Sequence, residues 1–128
     1  MHQCLIETYQ EWNKWLTDIC KVSDYNFFRC VVKRNDYERA ELHVFCDASR
    51  VAYSVVCFGR FVYSDGEVVL SFLFGKSKIS PNNGELSIPR LELVAAALAT
   101  RVACLILQEN NIKFDRVLYW TDSSAVLH

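Results

Sequence analysis

The sequence predicts an α/β domain whose elements run β-β-β-α-β behind a separate N-terminal amphipathic helix. Three observations predict it. Leu42 to Cys46, Tyr53 to Val62 and Val68 to Phe74 are β-rich runs separated by short turns. One long apolar helix pattern then extends from Pro89 to about Gln108, and a further β-rich run, Val117 to Thr121, follows it. With 52% apolar and 23% charged residues and only 4 Gly and 2 Pro, the composition is that of a packed domain rather than a disordered or collagen-like chain. A length of 128 residues suits one domain and not a two-domain enzyme.

In chain order, Leu5, Tyr9, Trp12, Leu16 and Ile19 recur at helical spacing, which predicts an amphipathic helix over about 3–20 with Trp15 beside the stripe. That apolar face needs a cover, either this domain or a neighbour outside it; the second is favoured, so Trp12 or Trp15 is expected to stay exposed. Ser23-Asp24 marks a turn, Phe27 to Val32 is short, aromatic and β-branched and predicts a brief strand, and Lys33 to Arg39 reads as a solvated connector. Ser64-Asp65-Gly66 carries hairpin chemistry, because Gly tolerates the positive φ that such turns require. The three central runs therefore predict an antiparallel meander. Residues 75–87, with Gly75, Pro81, Asn82, Asn83 and Gly84, predict a long loop.

Pro89 suits the first turn of a helix, where its missing N–H costs nothing. Leu91, Val94, Leu98, Val102, Leu105 and Ile106 are expected as the main buried stripe, with Ala95, Ala96, Ala99 and Ala103 as a small-residue column beside it. Asn110-Asn111 ends the helix, and Asp122-Ser123-Ser124 after the last strand reads as another helix start.

The 14 Lys and Arg against 15 Asp and Glu leave a net charge of -1, so no global basic field announces a nucleic-acid partner and any such contact must be local. The N-terminus meets acidic residues before any long apolar run, unlike a secretory signal. Leu91 to Leu107 contains Glu92, Thr100 and Arg101 and reads as a buried helix rather than a membrane span. Cysteines at 4, 20, 30, 46, 57 and 104 form no CxxC pair, which supports neither zinc nor thioredoxin-type chemistry. Reduced packing thiols in an intracellular, most simply cytoplasmic, protein are expected, with no membrane partner.

Three carboxylates occupy unusual places: Asp47 at the end of the first long strand, Glu92 in the first turn of the helix, and Asp122 at the end of the last strand. Asp47 shares a strand face with His43 and Phe45, and Asp122 shares one with Leu118 and Trp120. All three could meet at one edge of the sheet. Spacing alone is better served by Asx turns, a helix cap and dipole compensation.

Around these acids stand Phe45-Cys46-Asp47-Ala48-Ser49, Ile88-Pro89-Arg90-Leu91-Glu92-Leu93 and Tyr119-Trp120-Thr121-Asp122-Ser123. Together, in this order, they resemble the ribonuclease H region of BEL/Pao-type retrotransposon polyproteins. Trp12-Asn13-Lys14-Trp15-Leu16 and Phe28-Arg29-Cys30-Val31 resemble the segment that joins the reverse transcriptase to that region. The resemblance implies a partial ribonuclease H-like fold, a mixed sheet with helices packed on it, over residues 41–128, and a connector over residues 1–40. It implies that the domain continues past the fourth strand into a helix, a fifth strand and a last helix bearing a fourth acid. On that basis the chain is expected to be C-terminally truncated and inactive in isolation, and His128 is given no role.

The resemblance also assigns Asp47, Glu92 and Asp122 as catalytic metal ligands for two Mg²⁺ ions, with Mn²⁺ as a substitute. Hard, octahedral Mg²⁺ takes a few carboxylates and completes its shell with water and phosphate oxygens. Two like charges about 4 Å apart repel by roughly 4 kcal/mol at an effective dielectric of about 20, so metal binding would relieve such a cluster. The implied reaction is two-metal hydrolysis of the RNA strand of an RNA–DNA hybrid, and the implied partners are that hybrid and the reverse transcriptase region of the same polyprotein. Lys76, Lys78 and Arg90 are candidate contacts to the hybrid backbone. The alternative is a non-catalytic retroelement remnant serving as a folded connector or interaction module. Such polyproteins also carry an aspartic peptidase, but Ser64-Asp65-Gly66 reverses the order a peptidase needs and reads as the hairpin turn.

Overall fold

In a computed structural model, residues 2–26, 30–81 and 86–127 are described. The elements are α1 (His2–Cys20), a 3-10 turn (Lys21–Asp24), β1 (Tyr37–Ala48), β2 (Ala52–Tyr63), β3 (Val68–Ile79), α2 (Ile88–Glu109), β4 (Arg116–Trp120) and α3 (Ser124–Leu127). The four strands form one sheet in the order β3-β2-β1-β4. β1, β2 and β3 pair antiparallel and β4 pairs parallel with β1, so the sheet is mixed. A parallel neighbour needs a crossover, and α2 supplies it by packing against β1 and β2.

Strand alternation decides what lies under α2. Leu42, Val44, Val55 and Cys57 meet Ala99, Val102, Ala103 and Ile106 in the main core. Fully burying one Val or Leu contributes roughly 1.5–3 kcal/mol. The buried positions of α2 are Leu91, Ala95, Ala99, Val102, Ala103 and Ile106. Val94 and Leu105, expected in the stripe, are exposed instead. The reason is steric, since an alanine column lets the helix axis approach the sheet, and the buried face rotates toward it. By length and composition alone α2 is long and apolar enough to cross a membrane. Its inner face is the core of the sheet.

The hairpin between β2 and β3 follows its sequence. Gly66 takes φ +83°, its N–H donates to the Tyr63 carbonyl, and the Glu67 N–H donates to Asp65 Oδ1. β3, however, runs through Gly75, Lys76, Ser77 and Lys78 to Ile79, where a loop was expected. Every one of those residues has a partner on the twelve-residue β2, so the length of the neighbour, not the propensity of Gly and Lys, sets where β3 ends. A bulge interrupts the ladder: Cys57 pairs with Phe74 and Phe58 with Phe72, leaving Leu73 as the extra residue.

The segment before β1 also differs from expectation. Phe27 to Arg29 lie outside the described residues, and residues 30–32 are irregular rather than strand. Val31 and Val32 pack instead on a second small core of Ala40, Phe61 and Tyr63. Arg34 lies 4.4 Å from the Tyr63 ring centroid and pairs with Asp65 at 2.8 Å, while Lys33 reaches Glu67 at 2.7 Å. Residues expected to be solvated thus clasp the hairpin, and β1 begins at Tyr37, inside that stretch. At the start of β4, Asp115 Oδ2 accepts from the Ala40 N–H at 2.9 Å and fixes β4 beside β1.

α1 behaves differently. Its packed neighbour is the 3-10 turn, and Trp12 and Trp15 are 55% and 50% exposed, stacked on each other at 5.0 Å. Both tryptophans remain exposed, as the uncovered stripe predicts. Among the described residues the five cysteines at 20, 30, 46, 57 and 104 are free thiols.

Candidate active site

Two of the three acids meet at one cleft. Asp47 stands at the C-terminal end of β1, opposite Ser54 on β2, and Asp122 follows the C-terminal end of the adjacent parallel β4. Parallel pairing brings both chain ends to the same side of the sheet. Between them lies a cleft of about 440 Å³ bounded by Phe45, Cys46, Ser54, Val56, Trp120 and Thr121 as well as the two acids. Asp47 and Asp122 are exposed, and Asp47 Oδ1 accepts from the Ala48 N–H at 2.7 Å.

The electrostatics agree with this placement. Burial pushes the Cys46 thiol above its ordinary range, and Asp47 and Asp122 both add to that push while a Thr121 hydrogen bond opposes it. Both carboxylates therefore bear on one atom between the two strands.

Glu92 comes from another direction. α2 begins at Ile88 with Ser87 before it and Pro89 in the opening turn, so Glu92 follows the first turn rather than belonging to it. The half-buried Glu92 carboxylate accepts from the hydroxyl of Ser123, the neighbour of Asp122. Ser123 is itself buried, and its N–H donates to Thr121 Oγ1. Glu92 is thus tied to the Asp122 turn through a serine. Among the described residues, no group of three or more His, Cys, Asp and Glu side chains lies close enough together to hold a metal ion.

The donor set nevertheless suits a hard cation. Asp47, Asp122 and Glu92 offer only oxygen, and no ion pair among the described residues neutralises any of them. Nearby charges are paired among themselves, Arg34 with Asp36, Asp65 and Glu67, and the buried Glu41 with Arg39 and Arg60.

The candidate cations lie elsewhere. Lys76 and Lys78 are within β3, not beyond it, opposite Val55 and Tyr53. Val55 is part of the core under α2, so both lysines project from the α2 face, whereas Asp47 and Ser54 belong to the other face. Arg90 is exposed in the first turn of α2. The geometry brings none of the three into the cleft.

Several contributors escaped the sequence reading. Ser80 is buried, its N–H donates to the Val51 carbonyl and its hydroxyl to the Ser49 carbonyl, which ties the end of β3 to the turn after Asp47. Ser123 carried a signal, being part of an Asp-Ser-Ser run after a strand, but its partner is distant in sequence. The face of β1 and β4 that holds the acids also carries His43, Phe45 and Trp120, and α2 leaves it open. A larger cavity of about 530 Å³ lies at the outer edge of β3 between Asn26, Val31, Lys33 and Val69, Leu70, Phe72. It contains no carboxylate, and the cleft is the better candidate for chemistry.

The family model of the Pao retrotransposon-like RNaseH-like domain matches residues 3–123. No curated protein and no solved structure matches the chain. The match spans nearly all of α1 and all four strands, and the mixed four-strand sheet with its crossover helix is consistent with a ribonuclease H-like domain. The chain belongs to the family of Pao retrotransposon-like RNaseH-like domains.

Proposed function

We propose that the chain is the metal-dependent hybrid ribonuclease segment of a retrotransposon polyprotein, with the cleft between β1 and β4 as its reactive centre. The observation that carries this is the pair of exposed, uncompensated carboxylates Asp47 and Asp122 at the ends of adjacent parallel strands. In this reading Asp47 and Asp122 supply the main oxygen ligands. Glu92 supplies a third, and Ser123 holds its carboxylate toward the Asp122 turn until a cation competes for it.

Mg²⁺ bound there would supply an activated water and a counter-charge for the departing oxygen of a phosphodiester. The protein's own part is to hold the acids on rigid strand ends and to present an exposed cleft to a backbone phosphate. Lys76, Lys78 and Arg90 lie on the α2 side and, in this reading, hold more distant phosphates of the hybrid. The 2′-hydroxyl is the group that would distinguish the RNA strand.

The test has two readouts. Mn²⁺ at about ten times its dissociation constant should raise the melting temperature by roughly 5 °C, and Asp47→Asn and Asp122→Asn should each abolish the shift. A hybrid labelled on its RNA strand is then offered to the chain and to the polyprotein that carries it, with Mg²⁺ or Mn²⁺. Cleavage by the polyprotein that disappears with Asp47→Asn supports the proposal. Equal cleavage by Asp47→Asn would overturn the assignment of the acids. The absence of both the shift and the cleavage would favour a folded connector or interaction module.

A further inference from the structure

On the open face of the sheet, Glu41, His43 and Trp120 form a chain of contacts that ends at the cleft. The Trp120 indole Nε1–H donates to His43 Nδ1 at 3.0 Å. An accepting Nδ1 is unprotonated, so the neutral imidazole carries its proton on Nε2. That Nε2 is buried without a hydrogen-bond partner and lies 3.5 Å from Glu41 Oε2. Glu41 is buried in turn, held by Arg60 at 2.8 Å and Arg39 at 3.4 Å. The indole and imidazole planes differ by only 11° with centroids 5.9 Å apart. Trp120 forms a wall of the cleft that holds Asp47 and Asp122.

We infer that His43 is the positioning residue of this cleft: its Nε2-protonated neutral form fixes the Trp120 indole in the cleft wall, and its protonation releases that indole. The imidazolium carries N–H on both nitrogens, so Nδ1 would present a donor to the indole donor and the bond is lost. Glu41 then offers the new cation a counter-charge already shared with Arg39 and Arg60. The charged groups facing His43 are Glu41 and Arg39 on its own strand, Arg60 on β2, and Arg116, the residue of β4 in register with Glu41. Directly opposite His43 stand Phe58 and Leu118, which carry no charge, and α2 covers the other face. His43 touches neither acid, so its effect on the cleft passes through Trp120. The role in the cleft rests on the proposed metal site, but the hydrogen bond and its titration do not.

The experiment uses the whole chain with Trp12→Phe and Trp15→Phe, leaving Trp120 as its single indole. Side-chain nitrogen resonances should report the Nε2–H tautomer of His43 at neutral pH. The Trp120 indole proton should then shift with the same midpoint as His43, and its solvent exchange should rise roughly tenfold once the imidazole is charged. His43→Phe should give the fast exchange at every pH. His43→Asn places an oxygen near the Nδ1 position and should restore slow exchange without a pH step. Mn²⁺ affinity at the cleft should fall roughly tenfold in parallel with His43 protonation, and that step should vanish in His43→Asn. An Nδ1–H tautomer at neutral pH, or an indole indifferent to the His43 titration, would overturn the inference. So would a Mn²⁺ profile that ignores His43 in a chain whose indole follows it. If the indole and the Mn²⁺ step both follow His43 while Asp47→Asn in the polyprotein still cuts hybrid, the nuclease reading fails and the positioning role stands.

Discussion

The two faces of the sheet are made by the same strands, residue by residue, yet one is closed and the other is not. Under α2, Leu42, Val44 and Cys57 are completely buried. One position along, Phe45, Phe72 and Trp120 remain 40%, 56% and 47% exposed, although Phe45 meets Phe58 edge-on and Phe58 meets Phe72 likewise. Both faces are apolar and aromatic in composition. The difference is whether a helix covers them: the closed face sustains the fold, while the open face holds the cleft, the acids and the polar chain of Glu41, His43 and Trp120.

This contrast can be broken most sharply by truncating one residue on each face. Leu42→Ala should cost about 2–5 kcal/mol in chemical denaturation, because it opens a cavity against α2. Phe72→Ala should cost less than about 1 kcal/mol, since most of its ring already meets water. Similar losses would mean that the open face is covered in solution. Asp115→Ala strikes the frame common to both faces: it leaves the Ala40 N–H without its acceptor and should cost about 1–3 kcal/mol by the same measurement.

A smaller effect should appear with acid. Burial opposes the Glu41 charge, but the Arg60 hydrogen bond and the Arg39 charge outweigh it, and the carboxyl lies below its ordinary 4.5. The depressed value means that its contribution is fully present above 4.5 and is lost as pH falls through the lower folded value. Denaturation midpoints should therefore decline in that acid range, and Glu41→Gln should flatten the decline while lowering stability near neutrality. The smallest effect is chemical. Burial pushes the Cys57 thiol up to about 11, so iodoacetamide at neutral pH should modify the exposed Cys20, Cys30 and Cys104 and spare Cys57, as read by peptide mass.

Much of the fold was legible because local chemistry and tertiary structure agree. Asp65-Gly66 made its hairpin, Pro89 opened its helix, and the β-β-β-α-β order stands. The misreadings share a cause. Lys76 and Lys78 looked like loop because their strand character comes from β2, and Val94 and Leu105 looked like core because hydrophobicity outranks alanine until a flat sheet selects the smaller side chain. Of the candidate site, Asp47 and Asp122 were legible from strand ends, since parallel pairing of β1 and β4 does the rest. The Ser123–Glu92 contact and the His43–Trp120 bond were not, because each joins residues 31 and 77 apart and depends on which strands become neighbours.

The bulge at Leu73 sets the sign of the charge beside the acids. β3 could run in either of two phases, and the extra residue selects the one in which Lys76 meets Val55. With regular pairing from Phe72 onward, Lys76 would fall opposite Ser54, the direct partner of Asp47, and its ammonium would compete with any metal there. One inserted residue between Phe74 and Gly75 would produce that phase. The irregularity thus works as a one-residue frameshift in space, keeping Lys76 and Lys78 off the face that carries Asp47 and Ser54.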